Sequence, residues 1–350
     1  MDTIPLTIIT GFLGAGKTTL LNRLLHADHG LRVAVLVNDF GAVNIDSQLV
    51  VGVDGDTVSL ANGCICCTIR GDLINATLGL LNRPEPPQYL IVETSGVSDP
   101  LEVALTFKAM KRIRLDSVLT VLDAEQILTL EREFAVLALN QVGMADIVIL
   151  NKVDLVTEPQ LEKVRAYIRS IIPKSRIIET MHANVPLELI LNVGQFDVQR
   201  LASRAPQEVH VHAEGEHHEH EHTDHSLIFE TWSWQSDQPL STKALKRMVD
   251  SLPETIYRAK GIFYFVESPD QRGVLQVVGQ RASLTFDEPW GNETPHSQLV
   301  VIGAHGGIDA HELQQRMDAC LAVNAPKSEV ERVANAALDW LRRSFKTTHP

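Results

Sequence analysis

Three spaced glycines followed by a lysine and two threonines are the first chemistry the chain presents. Gly11-Phe12-Leu13-Gly14-Ala15-Gly16-Lys17-Thr18-Thr19 fits the pattern G-x-x-x-x-G-K-[ST]. The glycines let backbone N–H groups turn inward around phosphate oxygens. Lys17 reaches toward β- and γ-phosphates, Thr18 offers a hydroxyl to Mg2+, and the helix start that follows favours anions. A second group, Asn151-Lys152-Val153-Asp154, has the types that read a base. The Asp154 carboxylate can accept from both the N1–H and the 2-amino group of guanine. Adenine has no N1–H and would leave a costly unpaired carboxylate, so guanine is expected. Lys152 can lay its stem along the base. The plainer alternative for Asp154 is a helix N-cap.

Glu93-Thr94-Ser95-Gly96 sets an acid beside a flexible glycine. Glu93 can hold Mg2+ through water or orient an attacking water, and Gly96 can follow the γ-phosphate as a switch hinge. Asn38-Asp39-Phe40-Gly41 reads as the other switch, with Asp39 as its acid. The competing reading of Glu93 is a helix-capping acid.

Cys64-Ile65-Cys66-Cys67 crowds three of the four cysteines into one tetrapeptide, poor spacing for a disulfide framework. Thiolates at a helix start have a lowered pKa and bind soft or borderline metals. Three thiolates do not complete a tetrahedral zinc site, so a fourth ligand must come from water, an acid or a histidine. A structural or redox cysteine cluster is the alternative. Zinc is favoured, with cobalt or nickel as alternatives. Between Glu208 and His225 lie seven histidines among glutamates, with His217, His218, His220 and His222 at the centre. Such a tract can collect ions loosely and feed the cysteines, or serve only as a solvated spacer. His182, His296, His305 and His311 are isolated and read as ordinary surface or core histidines.

Apolar strands must carry these groups. Leu6–Thr10, Arg32–Val37, Thr57–Leu60, Tyr89–Val92, Val118–Leu122, Ile147–Leu150 and Arg176–Ile178 are continuous runs. Helical stretches alternate with them at Thr18–Leu25, Leu73–Leu81, Leu101–Met110 and Gln160–Ile172. Alternation of this kind predicts an α/β unit: a mostly parallel P-loop NTPase sheet with helices on both faces and ligands at the strands' C-terminal ends. After the histidine tract, strands at Leu227–Trp234, Gly261–Val266, Val274–Val278 and Leu299–Ile302, with helices at Thr242–Ser251 and Ala310–Leu321, predict a smaller C-terminal α+β domain. The expected boundaries are 1–205, a linker at 206–225, 226–321, and a helical tail at 322–350.

Composition narrows the class. A net charge of −13 with no basic stripe argues against a nucleic-acid partner. No apolar run approaches about 20 residues, so no membrane span is expected, and the apolar N-terminus lacks the basic region of a signal peptide. Clustered thiols suit the cytoplasm, where they stay reduced.

Taken together and in order, the Gly11–Thr18 loop, Cys64-Ile65-Cys66-Cys67, Glu93-Thr94-Ser95-Gly96 and Asn151-Lys152-Val153-Asp154 resemble the CobW-type GTPases, relatives of the urease and hydrogenase nickel-insertion GTPases. The resemblance covers residues 4–320. It implies a GTP-hydrolysing metallochaperone of the SIMIBI class that passes zinc, or a similar metal, to a client metalloprotein. It puts the phosphate roles on Lys17 and Thr18, the metal thiolates on Cys64, Cys66 and Cys67, and base reading on Asn151 and Asp154. The family usually has Asn-Glu-Phe-Gly at the first switch. Asp39 stands in place of that Glu and reaches one methylene less. A nucleotide- or metal-dependent homodimer is left open. The rivals are a metal-storage protein built on the histidine arm and a plain P-loop ATPase with structural cysteines.

Overall fold

The computed structural model describes residues 3–27, 30–38, 57–60, 67–191 and 229–324. Asp39, Cys64, Cys66, the histidine tract and, from 325 onward, the tail expected to be helical therefore lie outside the described residues.

Seven strands form one parallel sheet in the first part: β1 (Ile4–Thr10), β2 (Val33–Asn38), β3 (Thr57–Leu60), β4 (Tyr89–Glu93), β5 (Ile113–Asp123), β6 (Ile147–Asn151) and β7 (Ile177–Thr180). Their spatial order is β3-β2-β4-β1-β5-β6-β7. β1 sits between β4 and β5, with Ile9 opposite Glu93 on one side and Leu119 on the other. The loop leaving β1 thus opens where the strand order reverses, the usual crevice for a ligand in such sheets.

Side chains alternate across the sheet, and each face has its own cover. Ile9, Val35, Ile91, Val121 and Ile149 pack with Leu20, Leu21 and Leu24 of α1 (Lys17–His26). Each of those leucines is buried, and each contributes about 1.5–3 kcal/mol on that basis. Leu6, Ile8, Leu36, Leu90 and Val92 point the other way, onto α2 (Cys67–Leu81) and α3 (Pro100–Lys108). Farther along that face, α4 (Arg132–Gly143) and α5 (Glu158–Ile171) cover Leu122, Val148 and Leu150. The sequence supplies the helix starts. Asp99 accepts from Leu101 N with Pro100 in the first turn, and Thr157 and Gln160 form a capping box. Thr157, not Asp154, therefore opens α5. Asp154 lies in a 3-10 turn, Val153–Leu155, so the N-cap alternative is set aside.

The second part is antiparallel. After a short α6 (Leu187–Ile190), β8 (Phe229–Ser236), β9 (Ile256–Phe265), β10 (Ser268–Val278), β11 (Arg281–Pro289) and β12 (Ser297–Ala304) pair in the order β11-β10-β9-β12-β8. α7 (Thr242–Asp250) and α8 (Ala310–Asp318) cover one face, joining Trp234, Phe263, Phe265 and Val301 in a second core. β11 is absent from the sequence expectation. It folds back on β10 through Gly279-Gln280, where Gly279 has φ +56°.

The strand ends of this sheet reach the first. Val278 and Ile302 enter the core that holds Val33, Tyr89 and α1. Beneath them Tyr89 OH donates to Asp116 Oδ2 at 2.8 Å, and Arg258, 3% exposed, donates to the same oxygen and to the Ile190 carbonyl. Burial opposes ionisation of Asp116, yet Arg258 and then Arg114 hold its carboxyl below the usual range. Burial, reinforced by Asp116, raises the Tyr89 phenol well above its ordinary value. β5 begins at Ile113 rather than Val118 for this reason. Arg114 and Asp116 are polar in sequence, but Gln276 and Arg258 satisfy them from more than a hundred residues away. Nearby, Asp146 accepts from Val118 N and pairs with Arg281, yet burial pushes its carboxyl up to about 6.

Candidate functional site

Gly11 and Gly16 carry the phosphate loop's shape. Gly11 has φ +137°, and a Cβ there would lie 2.0 Å from the Val121 carbonyl oxygen. Gly16 has φ +107°, and a Cβ there would meet Asn151 Nδ2 at 2.4 Å. Only glycine fits either position. Gly14 and Ala15 complete the turn, and Lys17, Thr18 and Thr19 open α1. Lys17 is 6% exposed, and its Nζ donates to the Phe12 carbonyl at 3.1 Å, so the ammonium lies inside the glycine loop. Thr18 Oγ1 donates to Glu93 Oε1 at 2.9 Å, which brings a hydroxyl of the first turn of α1 against the acid that ends β4. Glu93 is therefore not the helix cap; Asp99 is.

The segment after Glu93 packs on the phosphate loop. A Cβ on Gly96 would meet Leu13 N at 2.7 Å, and Gln141 Nε2 of α4 donates to the Gly96 and Ser98 carbonyls at 3.2 and 3.3 Å. The Phe12 ring stacks obliquely on Phe134 of the same helix, centroids 5.1 Å apart.

At the far end of the crevice, Asn151 ties three segments together. Its Nδ2 donates to the Ala15 carbonyl at 2.9 Å, and its Oδ1 accepts from Ala183 N at 2.8 Å. Lys152 takes the left-handed conformation (φ 61°, ψ 36°), and its Nζ contacts Asp123 Oδ2 at 2.6 Å. Asp154 is exposed, and among the described residues its carboxylate has no hydrogen-bond or ion-pair partner. Cys67 is the first residue of α2, which leaves the same edge of the sheet after β3.

Contacts on one edge of the sheet thus link the Gly11–Thr18 loop to Glu93, Gly96 and Asn151, with Lys152 and Asp154 on the turn that follows Asn151. Three parts of this edge go beyond the sequence expectation. One is the loop after β7, where His182 and Ala183 have φ 52° and 53°. Another is Arg23, which holds that loop through the His182 carbonyl and Asn184 Oδ1 at 2.9 and 3.0 Å. The third is Asp123, visible in sequence only as an acid ending a strand. The loop was findable, because every strand of a parallel sheet delivers its following loop to the ligand edge.

The donors suit a nucleoside triphosphate bound with Mg2+. A glycine loop around a buried ammonium has the chemistry to hold phosphate, and a hydroxyl in contact with an acid has the chemistry to hold a divalent cation. This arrangement defines a P-loop nucleotide-binding protein. The chain belongs to the CobW family of these proteins. Residues 5–179 match the family described as CobW/HypB/UreG, nucleotide-binding domain, and residues 229–321 match the cobalamin synthesis protein CobW C-terminal domain. Among curated relatives, a zinc chaperone named YjiA from Escherichia coli is 31% identical over 87% of this chain and 95% of its own length. A zinc chaperone named CobW from Pseudomonas aeruginosa is 33% identical over 91% and 92%. A zinc-regulated GTPase metalloprotein activator from Dictyostelium discoideum is 30% identical over 81% and 67%. A solved zinc-bound YjiA GTPase from E. coli covers 91% of this chain at 26% identity, with a TM-score of 0.42. No described helix is long and apolar enough to cross a membrane.

Proposed function

We propose that this chain is a GTPase that carries zinc on Cys64, Cys66 and Cys67 and hands it to a client metalloprotein, with the bound nucleotide deciding when the metal is released. The observation that carries this reading is topological. The Thr18–Glu93 contact and the start of α2 at Cys67 stand at the same edge of one parallel sheet, β3 being three strands from β1, about 14 Å away. The names of the relatives, zinc chaperones and a zinc-regulated GTPase, support zinc over cobalt and nickel.

Each residue has a task in this scheme. The loop from Gly11 to Thr19 encloses the phosphates, and Lys17 neutralises charge on the β- and γ-groups. Mg2+ beside Thr18 would draw off the charge that builds on the leaving phosphate. Glu93 and Asp39 hold the cation's water or orient the attacking one, and Gly96 moves with the γ-phosphate. Asn151, Lys152 and Asp154 select guanine. The start of α2 favours a thiolate at Cys67. His217, His218, His220 and His222 gather ions on the segment between the two domains, which we divide at 205 and 226. Three clustered thiols support the reducing cytoplasm as the compartment.

The test is zinc affinity of the full chain with a non-hydrolysable GTP analogue and with GDP. Unequal affinities are expected; equal ones refute gating by the nucleotide.

A further inference from the structure

Two strand-ending acids face the crevice edge, and their side chains do different things. Glu93 serves the phosphate half through Thr18. Among the described residues, Asp123 makes its side-chain hydrogen bonds and ion pair with Glu125, Gln126 and Lys152, not with the phosphate loop. It pairs in register with Asn151, one residue before Lys152, and its side chain is 4% exposed. Oδ1 accepts from Glu125 N and Gln126 N at 2.9 and 3.3 Å, which fixes the carboxylate plane, and Oδ2 holds Lys152 Nζ at 2.6 Å.

We propose that Asp123 is a positioning residue for base recognition: it pins Lys152 and thereby aims Asp154 at the nucleobase. The inference rests on the guanine-nucleotide reading above. Lys152 sits in the left-handed region, which an L side chain rarely adopts, and such a conformation persists only when its surroundings over-determine it. The ion pair with Asp123 supplies that constraint from the side chain, and Asn151, fastened at both ends, supplies it from the preceding residue. The turn at Lys152 then sets the next step. Its carbonyl accepts from Leu155 N at 3.1 Å, closing the 3-10 turn that carries Asp154. The exposed Asp154 carboxylate has no partner of its own among the described residues, so its direction is inherited from Lys152. With the ammonium held on Asp123, the aliphatic stem of Lys152 is left to lie against a base.

The simpler role for Asp123 is to satisfy the two turn amides. Asp123→Asn separates the roles, since its amide oxygen still accepts from Glu125 N and Gln126 N while the charge that holds Lys152 is gone. The experiment uses the full chain and its Asp123→Asn, Lys152→Met and double variants. A fluorescent GDP is displaced by GTP, by ITP, which lacks the 2-amino group Asp154 reads, and by ATP, with melting curves for each variant. Asp123→Asn should weaken GTP about tenfold and ITP less, shrinking the GTP-to-ITP ratio, and the double variant should be no worse than Lys152→Met alone. Equal losses for GTP and ITP, additive losses in the double variant, or an unchanged ratio in a folded Asp123→Asn would each overturn the proposal. If Asp123→Asn does not fold, Lys152→Met, whose side chain is 31% exposed, carries the same ratio test. A wild-type chain that prefers ATP overturns the guanine reading itself and this inference with it. A wild-type chain that prefers GTP while its variants keep its ratio overturns this inference only.

Discussion

Replacing Arg258 with methionine tests how the two sheets are joined. Arg258 and Asp116 are buried, with side chains 3% and 1% exposed, and the pair spans the two domains. Methionine keeps most of the stem's volume but removes the charge and the donors to the Leu189 and Ile190 carbonyls. Asp116 would retain the Tyr89 hydroxyl and a 3.4 Å contact with Arg114, which is partly exposed. An uncompensated carboxylate at such depth costs about 3–5 kcal/mol, a large share of a domain's stability. The sign of its pH dependence follows. In the wild type Arg258 holds the Asp116 pKa down, so the carboxylate's contribution is present above its unfolded pKa. In the variant, burial raises that pKa, and protonation at lower pH relieves the penalty. The deficit should therefore be largest near pH 8 and shrink toward pH 5. Urea unfolding gives the measurement. The four tryptophans, 232, 234, 290 and 340, all lie in the C-terminal part, so their fluorescence follows that part while far-ultraviolet dichroism follows the whole chain. Replacing both partners, Arg258→Met with Asp116→Leu, should recover most of the loss. A deficit under about 1 kcal/mol, a deficit that does not change with pH, or no recovery in the double variant would refute the view that this pair is a desolvated joint.

Two further outcomes follow from the same geometry. Asp146 is raised from 3.8 to about 6, so the native state binds its proton more tightly than the unfolded chain does, and wild-type stability falls by about 2 kcal/mol from this group as pH climbs from about 4 to 6. Asp146→Asn should remove that slope, and urea midpoints of both proteins between pH 4 and 7 check it. Gly16→Ala places a methyl 2.4 Å from Asn151 Nδ2 at φ +107°, so it should weaken GDP binding by about 100-fold while lowering the melting temperature by only a few degrees, as read by nucleotide titration and a thermal scan.

Local patterns were legible from the chain alone. The Gly11–Thr18 loop, the tetrapeptide at 151–154 and the strand-ending Glu93 are short and contiguous, and the continuous apolar runs required a parallel sheet covered on both faces. The alternation in the second part likewise implied strands with one packed face. Element ends moved by a few residues where tertiary partners intervened. β5 starts at Ile113 because Arg258 and Gln276 satisfy its polar residues, and β11, rich in polar residues, becomes a strand because β10 pairs with it.

What the sequence could not specify is which distant groups meet. Nothing local marks Arg23 as the latch on the loop after β7, or says that Asp123 holds Lys152 while Glu93 holds Thr18. Both acids end buried strands, and in sequence they look alike. Their roles separate only when the strand order places β4 on one side of β1 and β5 on the other, so that one acid faces the phosphate loop and the other faces the base strand. A side chain's chemistry is written in its residue type. Its partner is set by sheet order and register, which depend on the whole apolar core packing at once.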